Sequence, residues 1–244
     1  MDSPPTDNGM GTSADLARCA LFAELAEPQW RQLLEQHRLL RMTAGQPLLH
    51  EQDDGQVLFV FRSGIAKVRS IDAEGQEVVL SLMGPGDLCG EMAILHGGRR
   101  TADVVCLTEC EVLMVRAAPF RALLQADPRL AIALAQLEAQ RLQRLNRRVL
   151  RRESRALVRM LEVLVELACR TAPGASPTAA IPALPQRELA VLSGLARETA
   201  SRTLTRLRRQ GLVEPLPGGQ LRLVVPAGKG VDNLTAWLEE GPTP

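Results

Sequence analysis

The sequence contains no tyrosine, four phenylalanines and two tryptophans, so aromatics make up only 2% of its 244 residues. Its core must therefore be aliphatic. Lysine is nearly as scarce: 27 of the 29 basic residues are arginine, the cation suited to bidentate contacts with phosphates and base edges. The five cysteines (Cys19, Cys89, Cys106, Cys110 and Cys169) include no CxxC pair. No further Cys or His lies close enough in sequence to complete a zinc set beside Cys106 and Cys110. Buried thiols without disulfides are expected, and no metal. No run approaches eighteen consecutive apolar residues, which argues against a membrane-spanning helix. The opening stretch MDSPPTDNGMGTSAD lacks a basic start followed by an apolar run. It reads as a disordered polar leader rather than a secretory signal, with a cytoplasmic protein expected. Walker-type lysine spacing, GxGxxG and Ser/His/Asp spacing are all missing, so no enzyme is expected.

What is present is an uneven distribution of charge. The net charge is +1 overall. Residues 1–128 hold 11 basic and 18 acidic residues, a balance of −7. Residues 129–225 hold 17 and 7, a balance of +10, and 226–244 return −2. An acidic front and a basic back imply two domains, the second with an anionic partner such as nucleic acid.

Leu16, Leu21, Phe22, Leu25, Trp30, Leu33 and Leu34 recur at helical spacing, which predicts helix over 15–41. From Thr43 to Val115, short apolar runs alternate with turns such as Asp54-Gly55, Ser63-Gly64, Glu74-Gly75 and Gly84-Pro85-Gly86-Asp87. That pattern predicts a small antiparallel barrel or roll. From Pro128 a helical period runs for some forty residues, with a break near Arg152. Leu130, Leu134 and Leu137 form a stripe that Leu142, Leu145 and Val149 continue one residue out of phase, and arginine fills much of the rest. A long helix with so narrow a seam is a candidate dimer coiled coil; the alternative is a single amphipathic helix packed on its own barrel. Residues 171–182 are loop or linker by composition. Helices follow at Gln186–Ser193 and Arg197–Gln210, then a hairpin of Leu212-Val213 with Leu221–Val225 around Pro217-Gly218-Gly219.

The last elements read as a helix–turn–helix with a β wing. Gly194 permits the tight turn, and Leu189, Leu192, Leu195, Ala200, Leu204 and Leu207 supply the apolar contact. Arg197, Glu198, Ser201 and Arg202 share the opposite face. Arginine reads guanine O6 and N7, and glutamate accepts from cytosine N4. Thr199, Arg206, Arg208 and Arg209 are available for phosphates. A solvated amphipathic helix is the plainer alternative, and turn, wing and charge weigh against it.

A second constellation runs from Gly86 through Gly90-Glu91-Met92-Ala93-Ile94-Leu95 to Arg100-Thr101-Ala102. A glycine turn enters a short helix whose first N–H groups can face an anion. Arg and Thr suit a singly charged phosphodiester, and a carboxylate suits a ribose hydroxyl. A surface Glu91–Arg100 ion pair would account for the same composition.

Together these motifs resemble the Crp/Fnr superfamily of bacterial transcription regulators, from about residue 19 to 225. The phosphate-binding cassette of its cyclic-nucleotide domains looks like Gly90–Leu95 with Arg100-Thr101-Ala102, and its recognition helix like Arg197–Arg202. The resemblance implies an α+β chain: a β-roll effector domain over 15–128, a dimerisation helix over 129–153 and a winged helix–turn–helix over 154–225. The leader 1–14 and the tail 226–244 flank them. It also implies that Glu91 holds a ribose 2′-hydroxyl and that Arg100 and Thr101 hold a cyclic phosphate. Gly90 would permit close approach, with Met92 and Ala93 completing the cassette. Members that sense cyclic AMP add base contacts from a Thr-Ser pair on the long helix. Here Leu145-Asn146 stands at that point, and Asn146 can bond a purine edge. On the DNA side the implied set is Arg197, Glu198, Thr199, Ser201, Arg202 and Arg206, reading palindromes with TGA/TCA arms as a homodimer.

The expected function is therefore an allosteric regulator with no prosthetic group, its first-choice effector cyclic AMP. Double-stranded DNA is the partner, and RNA polymerase too if the protein activates. Alternatives are a family member answering to cyclic GMP, cyclic di-GMP or no ligand, and a regulatory module of a signalling enzyme. The family's iron–sulfur branch needs an N-terminal cysteine cluster, whereas only Cys19 lies in the first 88 residues. Its haem branch places a His where Glu91 stands.

Overall fold

A computed structural model describes residues 6–7, 16–35, 37–150 and 155–225. The described residues of Met1–Ser70 and Leu80–Leu145 form one unit, and those of Ile71–Val79 and Asn146–Pro244 the other.

The first unit is a β-roll. Its strands and helices begin with β1 (Thr6–Asp7), α1 (Glu27–Leu34), β2 (Arg38–Met42), β3 (Pro47–Leu49) and β4 (Val57–Ser63). They continue with β5 (Ala66–Ile71), β6 (Glu77–Met83), β7 (Leu88–Cys89), α2 (Glu91–His96), β8 (Asp103–Cys106) and β9 (Cys110–Arg116), then α3 (Ala117–Ala126) and α4 (Pro128–Leu150). Two sheets result, ordered β1-β2-β9-β4-β7 and β3-β8-β5-β6. Alternation along each strand builds two cores. In β4, Phe59 and Phe61 face the interior of the roll with Leu40, Met42, Val104, Cys106, Cys110 and Val112. Leu58 and Val60 face the other way and pack with Leu113, Val115, Phe22, Phe120, Leu130 and Leu134. Phe22 and Phe120 meet edge to face at 6.0 Å, the one aromatic contact of this kind among the described residues. Cys19, Cys89, Cys106 and Cys110 are buried free thiols, and Cys169 in the second unit is half-buried.

Three expectations change here. The helix expected over 15–41 is reduced to a 3-10 turn at Ala20–Phe22 and to α1, and residues 38–42 are a strand instead. Leu39, Leu40 and Met42 are buried by pairing with β9, from Arg38 opposite Met114 to Met42 opposite Cys110, and that tertiary ladder overrides local helical spacing. In the leader, Thr6 and Asp7 pair antiparallel with Arg41 and Leu40, so an exposed edge recruits two residues expected to be irregular. The remainder of the leader lies outside the described residues. On α4, Leu130 and Leu134 are buried in the unit's own core with Leu137 packed on it, so they form no dimer seam. The exposed apolar residues are Ile132, Leu142 and Val149. Ala135, Ala139 and Asn146, also exposed, interleave with them at three- and four-residue spacing.

The second unit packs α5 (Ala156–Cys169), α6 (Gln186–Ser193) and α7 (Arg197–Arg209) over Leu161, Leu164, Leu167, Leu192, Leu204 and Leu207. The wing pairs β10 (Val213–Pro215) with β11 (Leu221–Leu223), Val213 opposite Leu223. The segment expected as a linker ends in structure: Ile181 is fully buried and bridges Leu221, extending the wing. The break near Arg152 and the tail 226–244 fall outside the described residues. Among the described residues no helix is long and apolar enough to cross a membrane.

Candidate ligand pocket and DNA-reading helix

Pairing of β7 with β4, Cys89 opposite Phe59, delivers the chain to Gly90 at the N-terminus of α2. Gly90 has φ 91°, a left-handed conformation that disfavours any side chain. A Cβ there would lie 2.5 Å from Arg100 Nη1 and 3.1 Å from the Val57 carbonyl oxygen, so the glycine also clears space for the arginine. Arg100 is set by its own backbone: its N–H donates to Asp53 O at 2.9 Å, and Gln52 N–H donates to Arg100 O at 2.9 Å. Arg121 on α3 donates from Nε and Nη2 to Ile94 O at 3.1 and 3.0 Å, holding the C-terminal end of α2. Ala93 is buried against Gly55, whereas Met92 is exposed with its sulfur 3.9 Å from the exposed Thr101 hydroxyl.

Glu91 and Arg100 are buried to 2% and 3% exposure, which excludes the surface ion pair considered above. No bond joins them. Arg100 donates from Nη1 to Gly90 O at 2.7 Å and from Nη2 to Val57 O at 2.6 Å. Its buried Nε has no partner, nor has Oε2 of Glu91. Burial draws the Arg100 pKa down and, more than any neighbouring charge, pushes the Glu91 carboxyl up to about 7. The other oxygen of Glu91 accepts from Arg141 Nη1 at 2.6 Å. Arg141, on α4, also donates to Glu138 at 2.9 Å and to the Leu88 carbonyl. Sequence reasoning missed Arg141 and Glu138, because nothing local separates Arg141 from the other arginines of its helix. Among the described residues no group of three His, Cys, Asp or Glu could hold a metal ion.

Asn146 is exposed farther along α4, in the second unit. There the helix–turn–helix brings Arg197, Glu198, Arg202 and Arg206 to the solvent on α7, with Thr199 and Ser201 half-buried. Ala200, Leu204 and Leu207 are buried beneath. Gly194, at φ 59°, makes the turn. Two arginines cap the end of α6: Arg148 donates to Leu192 O at 3.0 Å and Arg159 to Ser193 O at 2.9 Å and to the Gly194 carbonyl. They satisfy carbonyls that a helix C-terminus leaves without donors and place positive charge where the helix dipole favours it.

A β-roll with unpartnered buried polar atoms in one unit and a winged helix–turn–helix in the other define a class, that of sensory DNA-binding regulators. The chain belongs to the Crp/Fnr superfamily of transcription regulators. Residues 39–127 match the cyclic nucleotide-binding domain and residues 158–228 the Crp-like helix-turn-helix domain. The chain is 35% identical over 175 residues to the cyclic AMP receptor protein of Thermus thermophilus, covering 71% of this chain and 78% of that one. Two solved structures share its fold. FixK2 from Bradyrhizobium japonicum has TM-score 0.67 at 19% identity, over 78% of this chain and 93% of that one. The c-di-GMP responsive global regulator CLP of Xanthomonas campestris has TM-score 0.64 at 23% identity, over 82% and 100%. The protein is thus a DNA-binding transcription regulator with a cyclic nucleotide-binding domain, and not an enzyme.

Proposed function

We propose that the regulator binds cyclic AMP in the Glu91–Arg100 pocket and, as a homodimer, binds palindromic DNA with TGA/TCA arms. The observation that carries this is the pair of buried, unpartnered atoms, a donor at Arg100 Nε and an acceptor at Glu91 Oε2. A cyclic nucleotide supplies their complements, a phosphodiester oxygen and a ribose 2′-hydroxyl. Thr101 adds a hydroxyl to the phosphate, and Gly90, Met92 and Ala93 shape the approach. Glu91 engaged by ribose changes its hold on Arg141. In this way ligand occupancy biases α4, a differential contact of the kind allostery requires.

The exposed stripe Ile132–Ala135–Ala139–Leu142–Asn146–Val149 is the surface for a second copy. Two recognition helices then reach successive major grooves. Arg197, Glu198, Ser201 and Arg202 read base edges, while Thr199 and Arg206 contact phosphate. RNA polymerase is the further partner of an activator. The name of the Thermus relative supports cyclic AMP; that of the Xanthomonas regulator makes cyclic di-GMP the second reading.

Calorimetric titration with cyclic AMP, cyclic GMP and cyclic di-GMP, repeated on Arg100→Ala, tests the pocket. Tight cyclic AMP binding that Arg100→Ala abolishes is expected; binding indifferent to that change rejects the assignment. On DNA, scrambling the TGA arms should remove the salt-resistant part of the affinity, and equal binding to both duplexes rejects the site.

A further inference from the structure

Four arginines lie between residues 141 and 150 of α4, and two of them, Arg144 and Arg147, are exposed. The other two make bonds. Arg141 holds Glu91 and Glu138 in the first unit, and Arg148 holds the helix–turn–helix in the second. They stand seven residues apart, just under two turns, and so share one face of a continuous helix. Arg148 Nη2 donates to Leu192 O at 3.0 Å, and its Nη1 lies 3.9 Å from Glu166 Oε2 on α5. The two side chains are only 24% and 32% exposed, so the guanidinium is held between helices rather than left in solvent. Leu192 O belongs to the last turn of α6, where a carbonyl has no partner in its own helix and the dipole favours a cation. The next two carbonyls, of Ser193 and Gly194, take their donors from Arg159 on α5. Three consecutive carbonyls of the turn before α7 are thus fixed by side chains, and the anchor of the first comes from α4.

We propose that Arg148 is a positioning residue for DNA reading: by capping α6 from α4 it sets the turn that aims α7, and it passes to α7 the change that a ligand imposes on α4. The inference rests on reading Glu91 and Arg100 as ligand groups and α7 as the reader. Arg141 is the input, since a ribose at Glu91 alters its hold, and Arg148 is the output on the same helix face. Arg148 itself touches neither nucleotide nor base. Its removal therefore separates two properties that a ligand-binding residue would lose together: each partner still binds, but neither reports the other.

Two measurements on the full chain test this. First, hydrogen exchange without ligand or DNA follows the backbone amides of residues 192–197. Arg148→Ala should speed exchange there by about threefold to tenfold, the loss of one cap. Arg144→Ala removes the same charge from the same helix and should leave it unchanged. Equal rates in the two variants overturn the hold on the turn. Second, gel shifts on the TGA/TCA palindrome with and without saturating cyclic AMP give a ratio of DNA affinities, and calorimetry gives the cyclic AMP affinity. A ratio of about fivefold or more is expected in the unsubstituted protein and in Arg144→Ala. In Arg148→Ala it should fall by about threefold or more, with cyclic AMP affinity changed by less than about twofold. Arg148→Lys keeps a charged donor and should recover part of the ratio. An unchanged ratio in Arg148→Ala overturns the relay, and so does a parallel loss of cyclic AMP binding. If cyclic AMP fails to bind the unsubstituted protein while exchange responds as expected, effector and relay both fall and the hold of Arg148 on the turn stands.

Discussion

In the first unit the groups proposed to hold the ligand are buried, with Glu91 and Arg100 at 2% and 3% exposure, whereas on α7 the proposed readers Arg197, Glu198, Arg202 and Arg206 all stand in solvent. The difference follows from what each unit is proposed to hold. A small anion is gripped by removing it from water, so its partners sit in low dielectric and every unmatched atom matters. A duplex is a charged surface met by another surface, and its readers lose little by waiting hydrated. Burial also recruits residues from afar: the pocket joins Val57, Gly90, Arg100, Glu138 and Arg141, while the reader is a single helix.

The sharpest way to break this contrast is to delete an arginine from each side. Arg100→Ala strips donors from two part-buried carbonyls and should cost the sensor about 1–3 kcal/mol of folding stability. Arg202→Ala should change stability by less than about 0.5 kcal/mol. Thermal unfolding of both variants reads the two numbers, and similar losses would erase the distinction. Acidity comes next. Glu91 holds its proton up to about 7 in the folded chain, against 4.5 for an ordinary glutamate. Between those values the native state binds more protons than the unfolded one. Sensor stability should thus be fully present below pH 4.5 and decline as pH rises toward 7, by about 3 kcal/mol. Glu91→Gln should flatten that slope in denaturant titrations. On DNA, Arg202→Ala should weaken the palindrome by roughly 1–3 kcal/mol and relax one base position, with nucleotide affinity untouched. Gel-shift measurements on base-substituted duplexes decide that. A modest loss is expected for Gly194→Ala, about 1 kcal/mol in thermal unfolding from the left-handed turn. Its new Cβ would also press on Arg159 Nη2 at 2.5 Å, so Arg159→Ala should relieve part of the loss.

The same contrast explains what could be read from the amino acids. The helix–turn–helix and its wing were legible almost residue for residue, because Gly194, the leucine stripe and the hairpin act over short spans. The roll was legible as alternating runs, except where β2 keeps helix-like spacing and finds its partner seventy residues later in β9. In the pocket, the residues close in sequence were visible, from Gly90 to Thr101. Arg141 and Glu138 were not, since only folding brings the long helix against Leu88 and Glu91. The seam on α4 was misjudged for a related reason: Leu130 and Leu134 meet the description of a dimer stripe and are spent inside the roll.

The five free thiols give the molecule a built-in chemical stopwatch. Cys19, Cys89, Cys106 and Cys110 are sealed in the roll, where burial pushes the Cys19 thiol up to about 11 and the Cys89 thiol higher still. An alkylating reagent can reach them only when the roll opens, so their labelling rate counts openings. Cys169, half-buried on α5, meets the reagent without such an opening and serves as the reference. Mass spectrometry of a timed iodoacetamide pulse would therefore register the breathing of the roll against that reference, in one sample, without an engineered probe.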